Sequence, residues 1–198
     1  MRWRRTAWTG IVAAAFLGPI GLGSPGAAVS HVIGVGGAVG PLQLDRSDRA
    51  QVIAYAGRPD ADIRSRGDAS RYEVLGYGCP QHVRSPLDSL IDCRTGFYLV
   101  RGKLGLFFTL AHTHYSESHG VAIGTATGRA EQLLHRKVYL GPHCEPWLEL
   151  QSKKARLAIF FDGGNSNSYQ PGGLLVGGHV DAFYLHSRDR DPGVTDCS

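Results

Sequence analysis

The residues best suited to chemistry stand in one short run, "HTHYSESH", in which His112 and His114 flank a threonine, Glu117 follows and His119 closes the segment. If the run is extended, the His-x-His spacing puts two imidazoles on one strand face, about 6–7 Å apart. A third imidazole with a carboxylate could complete a zinc site. That is the equipment of a small metal-dependent hydrolase. The same residues equally suit a strand that runs out into solvent through polar side chains. The comparable stretch "FYLHSRD" keeps one histidine, His186, so a ligand pair is not a recurrent feature. The solvated strand end is the reading adopted, with His112, His114 and His119 as the alternative metal set.

Other reactive constellations are missing or unsupported. The chain has no G-x-S-x-G elbow, P-loop or H-E-x-x-H helix. Glu145, Asp162 and Asp181 have the carboxyl groups of a glycosidase pair, but such a pair works only at a set separation, which spacing in the chain does not supply. "GVGGAVG" (34–40) opens no helix and is expected to be a flexible lead, not a phosphate cradle. "DGGNSNSYQPGGLLVGG" reads as a long loop; its Tyr169 is a candidate recognition residue. Trp147 follows "HCEP" and is expected beside a disulfide, with an exposed binding role as the alternative. No catalytic residue and no cofactor is assigned.

Compartment follows from the N-terminus and the cysteines. Residues 1–30 begin with Arg2, Arg4 and Arg5, continue through an apolar run and end in the small residues Ala28 and Ser30, the order of a signal peptide. The apolar run is short and broken by Pro19, so export is expected in place of a membrane span. No cysteine near this site offers a lipid anchor. Cys79, Cys93, Cys144 and Cys197 in an exported chain imply two disulfides, with three possible pairings. Cys79–Cys93 is preferred as a local pair beside strand-like segments, and Cys144–Cys197 would then tie down the C-terminal tail.

Charge narrows the partners. The whole chain has 21 Lys and Arg against 17 Asp and Glu. Three arginines leave with residues 1–30, so the rest is nearly balanced. Acids and bases alternate, as in "DRSDR" and "SRDRD", with no basic stripe for phosphates. Nucleic acid is therefore not an expected partner, nor is stable membrane insertion. Another extracellular or envelope protein is.

The elements that must position these residues begin at "LQLDRSDRAQVIAYAGRPD" (42–60). Ser47 or Asp45 can cap a short helix, Gly57 can end it, and Pro59 forbids its continuation. Such a helix needs tertiary packing, so Ala50 and Ile53 are expected to be buried. "VAIGTATGRAEQLLHRKV" (121–138) has a similar order, with Thr125 or Thr127 as cap and Ala130 and Leu133 buried. Strand-like runs follow each helix. The first pair lies about a Gly-Lys turn in "FYLVRGKLGLFFTLAHTH", with Leu104, Leu106, Phe108 and Leu110 alternating on one face; Leu157, Ile159 and Phe161 alternate in the second.

The apolar pair, the short helix ending "GRPD", the tyrosine-bearing "YEVLGYG" and the "GKL" turn resemble the SmpA/OmlA outer-membrane assembly lipoproteins and the secreted β-lactamase inhibitor proteins. The resemblance implies an α+β fold of two related helix-plus-antiparallel-meander units, about 41–116 and 120–188. Their sheet would carry short helices on one face, stapled by disulfides. After a signal peptide (1–30) and a Gly-rich lead (31–40), residues 41–198 would form one domain ending in a tail. The implied function is a secreted, non-enzymatic protein-binding or inhibitor-like domain.

Overall fold

The computed structural model describes residues 31–64, 72–80, 92–110, 113–138, 146–162, 169–170, 174–175 and 177–190. Short strands open the chain: β1 (Val32–Gly34), β2 (Ala38–Val39) and β3 (Leu42–Gln43), followed by helix α1 (Arg49–Ala56). Next come β4 (Ala61–Arg64), β5 (Tyr72–Tyr77), β6 (Thr95–Val100), β7 (Lys103–Leu110) and β8 (Ser116–Glu117). Helix α2 (Thr127–Leu134) precedes β9 (Trp147–Gln151), β10 (Ala155–Phe161), β11 (Tyr169–Gln170), β12 (Leu174–Leu175) and β13 (Val180–Ser187).

These elements correct the α+β expectation. Among the described residues the chain is mostly β, with two helices of eight residues each. A seven-stranded antiparallel sheet runs β4-β5-β6-β7-β13-β10-β9, and a second sheet of four strands runs β3-β2-β1-β8. The two-unit scheme has no place for the second sheet. It also makes the last strands one meander, whereas β11–β12 form a separate two-stranded hairpin between β10 and β13. The physical reason lies in residues 31–40: this segment was expected to be a flexible lead, but Ile33 and Val39 in it are fully buried. Its apolar positions alternate with glycines, so its short strands can fold back and bury one face.

The main core lies between the two sheets. Leu75, Phe97, Phe107, Phe183, Leu157 and Ile159 from the inner face of the large sheet meet Ile33, Val39 and Leu42 of the small one. Val52 of α1 and Ala130 and Leu134 of α2 enter the same cluster. Replacing one of the buried phenylalanines by alanine would cost about 3–5 kcal/mol.

The helix details depart from the expectation in instructive ways. Asp48 caps α1, not Ser47 or Asp45: its carboxylate accepts from the Gln51 N–H at 3.1 Å, and the Gln51 side chain accepts from the Asp48 N–H at 3.0 Å. Ser47 is buried and accepts from the Gln43 N–H instead. Val52 is the buried residue of α1, whereas Ala50 is exposed and Ile53 half-buried. On α2, Ala130 is buried as expected and Leu133 is half-buried against the core. The N-cap of α2 is Ala126, with no side-chain cap; Thr127 donates to the Gly177 carbonyl and Thr125 accepts from the Ala122 N–H. Gly57 ends α1 at φ +85° and donates to the Ile53 carbonyl.

The β6–β7 hairpin turns through Arg101 and Gly102, both at positive φ (52° and 75°), the twist that suits a two-residue hairpin loop. A register shift beside Tyr98 and Leu99 then splits the expected leucine face. Leu104 enters the core between the sheets, whereas Leu106, Phe108 and Leu110 face the other way. In β10, Leu157, Ile159 and Phe161 do share the inner face.

Candidate functional site

The opposite, outer face of the large sheet is where the side chains converge. Cross-strand pairs stack Val74, Tyr98, Leu106 and His186 in one row, and Gly96, Phe108 and Tyr184 in the next. Phe160 and Trp147 continue the face, as paired neighbours on β10 and β9. The rings form an unbroken series: Tyr72–Tyr98 at 5.9 Å, Tyr98–Phe108 at 6.2 Å, Phe108–Tyr184 at 5.8 Å, Tyr184–Phe160 at 5.1 Å and Phe160–Trp147 at 6.2 Å. Aromatic residues at cross-strand spacing hold one another in place, so the row is rigid before any partner arrives.

The two halves of this face differ. On β5 to β7, Val74, Tyr98, Leu106 and Phe108 are fully buried. The Cys79–Cys93 disulfide lies over β5: a Cβ on Gly76 would meet the two sulfurs at 2.6 and 2.8 Å. That bridge, expected from the sequence, thus packs into the buried first half of the face. On β13, β10 and β9, Tyr184, Phe160 and Trp147 are only half-buried. Small residues, Ala158 and Ala182, separate these rings and leave them standing above the sheet. Both alanines are themselves buried.

The histidines do not assemble. His112 lies outside the described residues. His114 is exposed beyond the end of β7. His119 serves a local purpose: its Nδ1 is 2.7 Å from Glu117, whose carboxylate is wholly buried and also accepts from the His119 N–H and the Ser118 hydroxyl, both at 2.6 Å. Burying that carboxylate without donors would be costly, and these groups supply them. No three His, Cys, Asp or Glu side chains among the described residues are placed to hold a metal ion. Asp162 and His179 line an open pocket of about 360 Å³ with Asp181, where the Asp162 side chain accepts from the His179 N–H. Glu145, Cys144 and Cys197 lie outside the described residues.

Trp147 therefore sits on β9 against Phe160, in the row that the sequence reading did not assemble. Tyr169 pairs with Leu175 in the β11–β12 hairpin. The signal for the row was present in "AIFF" and "AFYLHS": alternation assigns one set of residues to the core and leaves Phe160 and Tyr184 for the other face.

A second aromatic group, beneath the helices, is structural. Tyr115 is buried between His31 and Phe107, and its hydroxyl shares a hydrogen bond with Tyr55. Burial, then that bond, push the Tyr115 hydroxyl well above the ordinary tyrosine range; burial also raises Tyr55. Tyr77 donates to the Gly57 carbonyl and is pushed up to about 12, mainly by burial.

Comparison with protein-family models, with curated proteins and with solved structures finds no match to this chain. The Cys79–Cys93 disulfide fits an oxidising compartment. No helix among the described residues is long and apolar enough to cross a membrane.

Proposed function

We propose that the chain is a secreted, non-enzymatic protein-binding domain that docks through the less buried half of the outer sheet face. The observation that carries this reading is the half-buried series Tyr184, Phe160 and Trp147, held rigid on three adjacent strands. Protein interfaces concentrate their affinity in a few such aromatic anchors, which lose little conformational freedom on docking. Among the described residues, Phe160 and Trp147 are half-buried neighbours on β10 and β9, placed to meet a partner.

The test is capture from the native secreted fraction by the immobilised protein and by a Trp147→Ala/Phe160→Ala variant of matched thermal stability. The reading expects a protein retained by the parent and lost from the variant. Equal retention by both would contradict it.

A further inference from the structure

The polar end of the same face has a charge of its own. Arg156 lies four residues before Phe160 on the outer side of β10, about 13 Å along the strand. It is paired with Gln151 on β9 and with His186 on β13. The turn between β9 and β10 adds Lys153 and Lys154, and the chain after β13 adds Arg188, whose N–H donates to the Lys154 carbonyl at 3.0 Å. All four cations are exposed. None of them has an ion pair among the described residues; Arg188 only donates to Gln151 at 2.7 Å. Among the other cations of the described residues, Arg49 is held by Asp62 and Glu73, Lys137 by Glu131 and Arg190 by Asp45, whereas Arg46, Arg58, Arg101 and Arg136 also have no ion pair; what marks the four is that they stand together at one end of the sheet face. Glu149, which accepts from Gln151, and Asp189 are the carboxylates beside the cluster. The excess is therefore about two positive charges at one end of an aromatic platform.

Resting on the docking reading above, we infer that the partner presents an acidic protein segment: its carboxylates meet Lys153, Lys154, Arg156 and Arg188 while an apolar part covers Trp147 and Phe160. Unpaired exposed cations lose little by exchanging water for a carboxylate. They also raise the rate of encounter with an acidic partner in a salt-dependent way. A basic partner meets repulsion at the same place, so this end of the face selects as well as attracts. The chain as a whole is not strongly basic, and the local cluster, not net charge, makes the choice.

A phage-displayed library of random dodecapeptides panned against the secreted protein tests this, with enriched peptides resynthesised and titrated. The expected peptides are acidic. Their affinity falls at least tenfold in a Lys153→Glu/Lys154→Glu/Arg156→Glu variant, mainly through slower association, and falls with added salt. Neutral or basic peptides that still need Trp147 and Phe160, or acidic ones indifferent to charge reversal, would overturn the acidic-partner inference and leave the docking reading standing. Peptides indifferent to Trp147→Ala and Phe160→Ala would remove both. Tighter binding of a twelve-nucleotide single strand or a sulfated oligosaccharide than of the best acidic peptide would also overturn it, in favour of a general polyanion site.

Discussion

The ring of Phe108 lies flat on Gly96 of the neighbouring strand, so close that a Cβ added there would stand 2.1 Å from its Cε1. This contact sets the height of the aromatic row, because Phe108 in turn stacks on Tyr184 with an interplanar angle of 21°. Gly96→Ala must lift the ring or bend the strand. The expected cost is about 1–3 kcal/mol of stability, read by urea unfolding, with a parallel loss of binding because Tyr184 moves with its neighbour.

The disulfide rests on Gly76 in the same manner. Breaking it with Cys79→Ser/Cys93→Ser should cost about 2–4 kcal/mol. Gly76→Ala should be destabilising in the parent and markedly less so once the sulfurs are gone, since they are the nearest atoms it would strike. A double-mutant cycle measures that coupling; strict additivity would mean that the bridge does not press on β5.

Alkaline pH should unfold the protein through its tyrosines. Tyr77 is held neutral up to about 12 in the folded chain, against an ordinary value of 10.0. The unfolded chain therefore releases this proton first. Stability is fully present below about pH 10 and declines as pH rises toward 12. Tyr115 and Tyr55 are raised also and act in the same direction. Thermal unfolding between pH 8 and 11 checks this, and Tyr77→Phe should flatten the slope.

His119 and its two companions in the sequence should separate by experiment. His119→Ala removes a ring donor from the buried Glu117 carboxylate and should cost about 1–3 kcal/mol. Replacing His112 and His114 together by Gln should change stability by less than about 1 kcal/mol, as for ordinary surface positions. Stoichiometric zinc in the purified protein, lost in that double variant, would instead favour the hydrolase alternative.

The sequence made some features legible and concealed others for definite reasons. Local signals worked: Gly57 and Pro59 marked the end of α1, the Gly102 turn marked the hairpin, and Cys79–Cys93 was readable as a local bridge. Long-range consequences were hidden. Apolar spacing puts Ala50 and Ile53 inside together with Val52 and Ala56, but with Asp48 as the cap Ala50 falls in the exposed first turn of α1 and only Val52 is fully buried. The bulge beside Leu99 sent Leu104 to one face and Leu106 to the other, which strict alternation cannot foresee. The four-stranded sheet joins β1 to β8 across more than eighty residues, and two- and three-residue strands carry no periodicity to announce it. The aromatic row was concealed for the same reason, since its six rings come from six strands and meet only when the sheet is ordered.

Trp147 is the only tryptophan beyond residue 30, so its fluorescence reports on the proposed docking face directly. In protein prepared without residues 1–30, the emission belongs to this one half-buried ring. Titration with a tryptophan-free bound peptide should shift that emission to the blue and protect it from acrylamide quenching, in step with the binding curve. Saturable binding that leaves both the emission and the quenching of Trp147 unchanged would contradict the claim that partners dock on the outer face of the seven-stranded sheet.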